Sequence, residues 1–121
     1  MSLLALHHVQ VAMPKGGEDR ARAFYGDLLG MEELPKVASL EGRGGCWFRL
    51  GAVEVHAGAD GAFVPPSSKA HLAFVVDNMP GIRERLEKGG VKTEEAIPIP
   101  GFTRFYGYDP FGLRIEFMQR A

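Results

Sequence analysis

One cysteine, Cys46, is all that the 121 residues contain. An intramolecular disulfide is excluded, as is a structural zinc site built on a cysteine cluster, and such a composition is expected of a protein in a reducing cytoplasm. Between Arg43 and Arg49, Cys46 reads as a small hydrophobe rather than a nucleophile. Charge of one sign is also scarce. A formal net charge of -1 at pH 7 gives no broad field for steering toward nucleic acid or an anionic membrane, and neither is expected as a partner. No apolar run is long enough to span a bilayer. The stretch from Met1 to Met13 lacks a basic n-region and a small-residue cleavage site, is interrupted by His7 and His8, and reads as a strand. What is present, 45% hydrophobic and 24% charged residues, suits one globular domain with its own core. A polar ligand must then be recognised locally, by particular side chains.

In the first strand, Leu4 to Met13, His8, Gln10 and Ala12 share one face and His7, Val9, Val11 and Met13 the other, because strand side chains alternate. After a turn at Pro14 to Gly17, the apolar residues Ala21, Phe24, Tyr25, Leu28 and Leu29 recur at three- and four-residue spacing, which predicts an amphipathic helix. Glu18 and Asp19 favour its N-terminus, and Gly30 can adopt the left-handed cap that ends it. An extended stretch from Met31 to Leu40, a turn at Gly42 to Gly45 and a hairpin about Gly51, with arms Cys46 to Leu50 and Ala52 to Ala57, complete a strand, helix, three-strand order. Gly58 to Lys69, with Pro65, Pro66, Ser67 and Ser68, has no periodicity that could bury a face and reads as a linker.

The same order then repeats. Ala70 to Val76 is a strand carrying His71, Asp77 or Asn78 can cap a helix that has Pro80 in its first turn, Ile82 and Leu86 face that helix's core, and Gly89 with Gly90 stops it. Val91 to Ile99 is extended, Phe102 to Tyr108 alternates as a strand, Asp109 to Gly112 is a turn, and Leu113 to Met118 is the last strand. The expected architecture is α+β: one domain over 1–121, made of two βαβββ modules (1–57 and 70–121, linker 58–69) whose curved mixed sheets lie around a cleft. One helix per module cannot cover both faces of a sheet, so one face must meet a partner sheet or enclose a ligand.

Polar residues stand where apolar alternation would otherwise continue: His8 on the first strand, Glu54 and His56 on the fourth, His71 on the fifth and Glu116 on the last. Imidazole nitrogen with carboxylate oxygen suits a divalent ion such as zinc, nickel, manganese, cobalt or ferrous iron, and a site with three or four protein ligands leaves positions for substrate oxygens. Each residue also has a plainer reading. His8 can be a hydrogen-bonded histidine at a strand end, and Glu54 can pair with Lys69 or Arg49 at the sheet rim. Gln10 shares His8's face and can meet a substrate or simply be solvated. Arg104, beside Phe105 and Tyr106, is either an anion contact or a surface arginine. Trp47, Phe48, Phe102, Phe105, Phe111 and Phe117 read as core, with any on the concave face lining a pocket.

Three pieces, in order along the chain, resemble the vicinal oxygen chelate superfamily of glyoxalase, bleomycin-resistance and extradiol dioxygenase proteins. They are Leu6-His7-His8-Val9-Gln10-Val11; Phe24-Tyr25-Gly26 with Leu28-Leu29-Gly30; and Asp109-Pro110-Phe111-Gly112 with Ile115-Glu116-Phe117. The resemblance implies metal ligands at His8, His71 and Glu116, with the fourth-strand ligand left between His56, which is preferred, and Glu54. It implies a divalent metal cofactor, a small substrate with vicinal oxygens, and lyase or isomerase chemistry in which Glu116 or Glu54 doubles as base, with Gln10, Arg104 and Tyr106 toward the substrate. It also implies a homodimer. A metal-free drug-binding resistance protein and a ring-cleaving dioxygenase are alternatives within the same resemblance. Leu113 departs from the pattern, since many relatives place a polar residue after the turn glycine; no proposed ligand is affected.

Overall fold

The computed structural model describes residues 1–35 and 42–121, so residues 36–40 of the expected extended stretch lie outside the described residues. The chain divides into two units, Met1–Val64 and Pro65–Ala121, each built as strand, helix and three strands.

In the first unit β1 (His8–Pro14) leads to α1 (Glu18–Ala21), which runs on into a π-helical stretch, Arg22–Leu28, and then to β2 (Glu32–Leu34), β3 (Cys46–Leu50) and β4 (Val53–Asp60). The sheet order is β1-β4-β3-β2, with β1 parallel to β4 and the other pairs antiparallel. Its packed face is the expected one: Val11 and Met13 from β1, Phe48 from β3 and Val55 from β4 are buried with Phe24 and Tyr25 of the helix. The helix itself is not the regular α-helix that the spacing predicts. Leu29 N–H donates to the Phe24 carbonyl at 2.9 Å, a five-residue step. Wider turns let two consecutive rings, Phe24 and Tyr25, be buried together in an edge-on contact at 4.9 Å, which a 3.6-residue turn does not favour. Gly30 ends the helix at φ +78°, the left-handed conformation expected of it.

The second unit has β5 (Leu72–Val75), α2 (Met79–Lys88), β6 (Thr93–Glu95), β7 (Phe102–Tyr108) and β8 (Arg114–Arg120), in the order β5-β8-β7-β6. Phe105, Ile115 and Phe117 form its packed face under Leu86 of α2. Of the two cap candidates it is Asn78 whose side chain accepts from Gly81 N–H, at 3.1 Å, with Pro80 in the first turn. Asn78→Ala is expected to lower stability by about 1 kcal/mol in urea unfolding, with little change in the dependence on urea concentration. The Asp109 turn is held by its own carboxylate, which accepts from Phe111 N–H at 2.9 Å and Leu113 N–H at 2.8 Å.

Strand ends differ from the sequence reading because a ladder extends only where its partner does. β1 begins at His8, not Leu4, since β4 begins at Val53 and leaves the earlier residues little to pair with. β4 continues past Ala57 to Asp60, opposite Pro14, into the segment read as linker. His71 lies just before β5 rather than in it, because pairing starts at Leu72 opposite Ile115.

Candidate functional site

The polar residues singled out in the sequence fall into two clusters, one in each unit. In the first unit, β4 presents Glu54, His56 and Gly58 on the face opposite the buried Val55. Register brings His8 of β1 beside Glu54, and sets Gln10 of β1 and Trp47 of β3 on either side of His56. The rings form a stack: His56 lies 4.2 Å from Trp47 at 9° and 4.2 Å from His8 at 13°. His56 Nε2 is 2.9 Å from Glu54 Oε1, and His8 Nδ1 is 2.9 Å from His7 Nδ1. Glu54 therefore pairs with His56, not with Lys69 or Arg49; Arg49 pairs with Glu32 instead. The hydrogen bond from His56 holds the Glu54 carboxyl below its ordinary range against the opposing effect of desolvation, with His7, His56 and His8 adding in the same direction.

In the second unit the cluster centres on Glu116, whose side chain is only 8% exposed. His71 Nε2 is 3.1 Å from its Oε1, and Arg104 Nη1 is 3.4 Å from its Oε2. Arg104 also donates to the Ile97 carbonyl at 2.7 Å and to Tyr106 Oη at 3.0 Å, so its guanidinium is fixed. Tyr106 stands opposite Glu116 in the ladder, and Arg114 lies over the Tyr106 ring at 4.4 Å.

The donor chemistry of this second cluster fits a divalent ion. His71 Nδ1 lies 2.8 Å from the Lys69 carbonyl, which only accepts, so Nδ1 carries a proton there and Nε2 is the ring atom that faces Glu116. Either a proton or a metal ion between Nε2 and the carboxylate satisfies both groups. A backbone carbonyl behind a metal-binding imidazole is the usual supporting contact. In the first cluster Glu54 and His56 pair with each other at 2.9 Å. His8 as placed does not join it. A ring nitrogen binds metal in its own plane at about 2.0–2.1 Å, and stacked, nearly parallel rings do not share such a point, so His8 would have to turn about its side-chain bonds. Among the described residues no group of three or more His, Cys, Asp or Glu is arranged to hold a metal ion.

The two units also match in register. His56 lies between Gln10 and Trp47, as Glu116 lies between Ala73 and Tyr106, so His56 rather than Glu54 occupies the position equivalent to Glu116. Sequence reading placed Trp47 in the core and missed its stacking on His56. The two-residue turn at Gly51 was the available signal, because it sets Trp47 opposite His56.

A family model described as the Glyoxalase/Bleomycin resistance protein/Dioxygenase superfamily matches residues 5–117. Among solved structures, a Bacillus anthracis protein assigned to the glyoxalase family is 45% identical, with 100% of this chain and 98% of that chain covered and a TM-score of 0.92. The fold is shared with a fosfomycin resistance protein from Listeria monocytogenes, 16% identical over 99% of this chain and 96% of that one at a TM-score of 0.80. It is shared as well with an antibiotic binding protein from Streptomyces sp. CB03234, 20% identical over 100% and 98% at a TM-score of 0.77. No curated protein matches in sequence. Among the described residues no helix is long and apolar enough to cross a membrane.

Proposed function

The chain belongs to the Glyoxalase/Bleomycin resistance protein/Dioxygenase superfamily, and from that premise we propose that it is a glyoxalase-like, metal-dependent enzyme, a lyase or isomerase acting on a small substrate with vicinal oxygens. The observation that carries this reading is the His71–Glu116 pair, in which an imidazole anchored on the Lys69 carbonyl turns its Nε2 to a largely buried carboxylate. The metal ligands in this reading are His8 and His56 in the first unit and His71 and Glu116 in the second. A divalent ion bound there would polarise a substrate oxygen as a Lewis acid.

The chain's own groups take the remaining work. Arg104 is tied to Glu116 and to Tyr106, so it orients that carboxylate, with Tyr106 behind it, instead of meeting the substrate first. Glu54, on the same sheet face as Gln10 and with one oxygen on His56, or Glu116 takes a proton from carbon next to a carbonyl. Gln10 faces the substrate. The whole of 1–121 acts as one domain, in keeping with a single family model over residues 5–117, and it works in the cytoplasm. It works as a homodimer: Leu3, Leu4, Leu6 and Val75 are exposed apolar residues that association would cover, and sedimentation equilibrium should give twice the chain mass.

Chelator-treated protein reloaded separately with zinc, nickel, cobalt and manganese should turn over small α-hydroxycarbonyl compounds with at least one ion. Equal turnover in chelator would contradict the reading. The Trp47–His56–His8 stack favours a second reading, a metal-free binder of flat small molecules. Its mark would be ligand-induced thermal stabilisation that persists in chelator.

A further inference from the structure

Beside His56, the first unit's sheet carries a hollow of about 300 Å³ that includes Gln10 and Trp47 in its lining. Its origin is a missing side chain. Along β4 the face that bears Glu54 and His56 next reaches Gly58, and a methyl group there would push aside the end of the Gln10 side chain, which lies across it. Gly58 thus lets Gln10 lie along the floor. Trp47 supplies the large apolar surface of the lining, and its one charged residue is Arg43.

Arg43 differs from its counterparts. Arg22, Arg49, Arg83 and Arg104 are ion-paired, and Arg114 and Arg120 lie over aromatic rings. Arg43 has no ion pair or hydrogen bond among the described residues. A guanidinium at the rim of a small hollow, with no carboxylate in the lining, attracts an anion and repels a cation, and its planar fork matches a carboxylate in two parallel hydrogen bonds.

We propose that this hollow binds a small organic acid, its carboxylate on Arg43, its compact apolar body against Trp47, and a polar substituent within reach of the Gln10 amide. The proposal deepens the enzymatic reading by naming the charged end of the substrate, which would lie next to His56.

Trp47 is the chain's single tryptophan, so its emission reports directly on this hollow. The full chain is titrated, in excess chelator, with benzoate, with its neutral counterpart benzamide and with cationic benzylamine. Benzoate should change the emission saturably, benzamide should bind about tenfold or more weakly, and benzylamine should not bind, as loss of a charge-assisted pair requires. Arg43→Gln should bring benzoate down to the benzamide level with melting unchanged, and Arg43→Lys should restore only part of the preference. Gly58→Ala should weaken benzoate and benzamide alike; its melting curve shows whether it folds, and the arginine variants decide the question if it does not. Benzamide matching benzoate, Arg43→Gln leaving benzoate binding unchanged, or no saturation below about 10 mM benzoate would each overturn the proposal. With chelator present throughout, failure of metal dependence and failure of acid binding are read separately.

Discussion

Glu116→Ala is expected to cost about 3–5 kcal/mol of folding stability, far more than a strand-surface carboxylate would. The side chain is 8% exposed and its partner Arg104 only 14%, so truncation leaves a guanidinium largely out of water with only the Ile97 carbonyl and Tyr106 Oη to satisfy it, and takes the partner from His71. Urea unfolding measures the loss. Glu116→Gln keeps the shape and an acceptor and should lose less than half as much. Replacing both partners, as in Glu116→Leu with Arg104→Met, should recover much of the loss, because no charge is then stranded. A loss under about 1 kcal/mol for Glu116→Ala would mean that the pair is effectively solvated.

Phe117→Ala should cost a similar amount, about 3–5 kcal/mol, by a different route. Phe117 is 1% exposed, stacked on Phe105 at 4.9 Å and 18° and tilted against Phe74 at 6.2 Å, so its removal leaves a cavity lined by rings that cannot collapse into it. The two variants are told apart by what survives. Folded Phe117→Ala protein should keep any metal that the wild type binds, whereas Glu116→Gln should not. Calorimetric melting checks the first point, and a loss below about 2 kcal/mol for Phe117→Ala would show that the site repacks.

Much of this is written locally in the sequence. The strand Phe102–Tyr108 and the turn after it are legible because alternation runs straight into Asp109, whose carboxylate closes the turn on its own backbone. Helix α2 is legible because Asn78, Pro80, Gly89 and Gly90 punctuate it at both ends. The period of two also suffices to put His8 with Gln10, and Glu54 with His56, on common faces. Other features depend on partners that local pattern does not specify. Three- and four-residue spacing cannot tell an α-helix from the π-helical stretch at Arg22–Leu28, where burial of two adjacent rings decides. The strand ends at His8, Asp60 and Leu72 are set by the neighbouring strand. Arg104 meets Glu116 only diagonally, since Tyr106 occupies the position opposite, and that choice rests on side-chain bonds to Ile97 and Tyr106. The ring stack needed cross-strand register as well as alternation.

The divalent metal content of the purified full-length protein, measured by elemental mass spectrometry after metal loading and dialysis, bears most directly on the claim that the polar clusters are metal ligands. The account predicts near-stoichiometric zinc, nickel, cobalt or manganese in the wild type and its loss in both His71→Ala and His8→Ala. Unchanged stoichiometry in either variant, or a wild type that retains no divalent metal after loading, would contradict it.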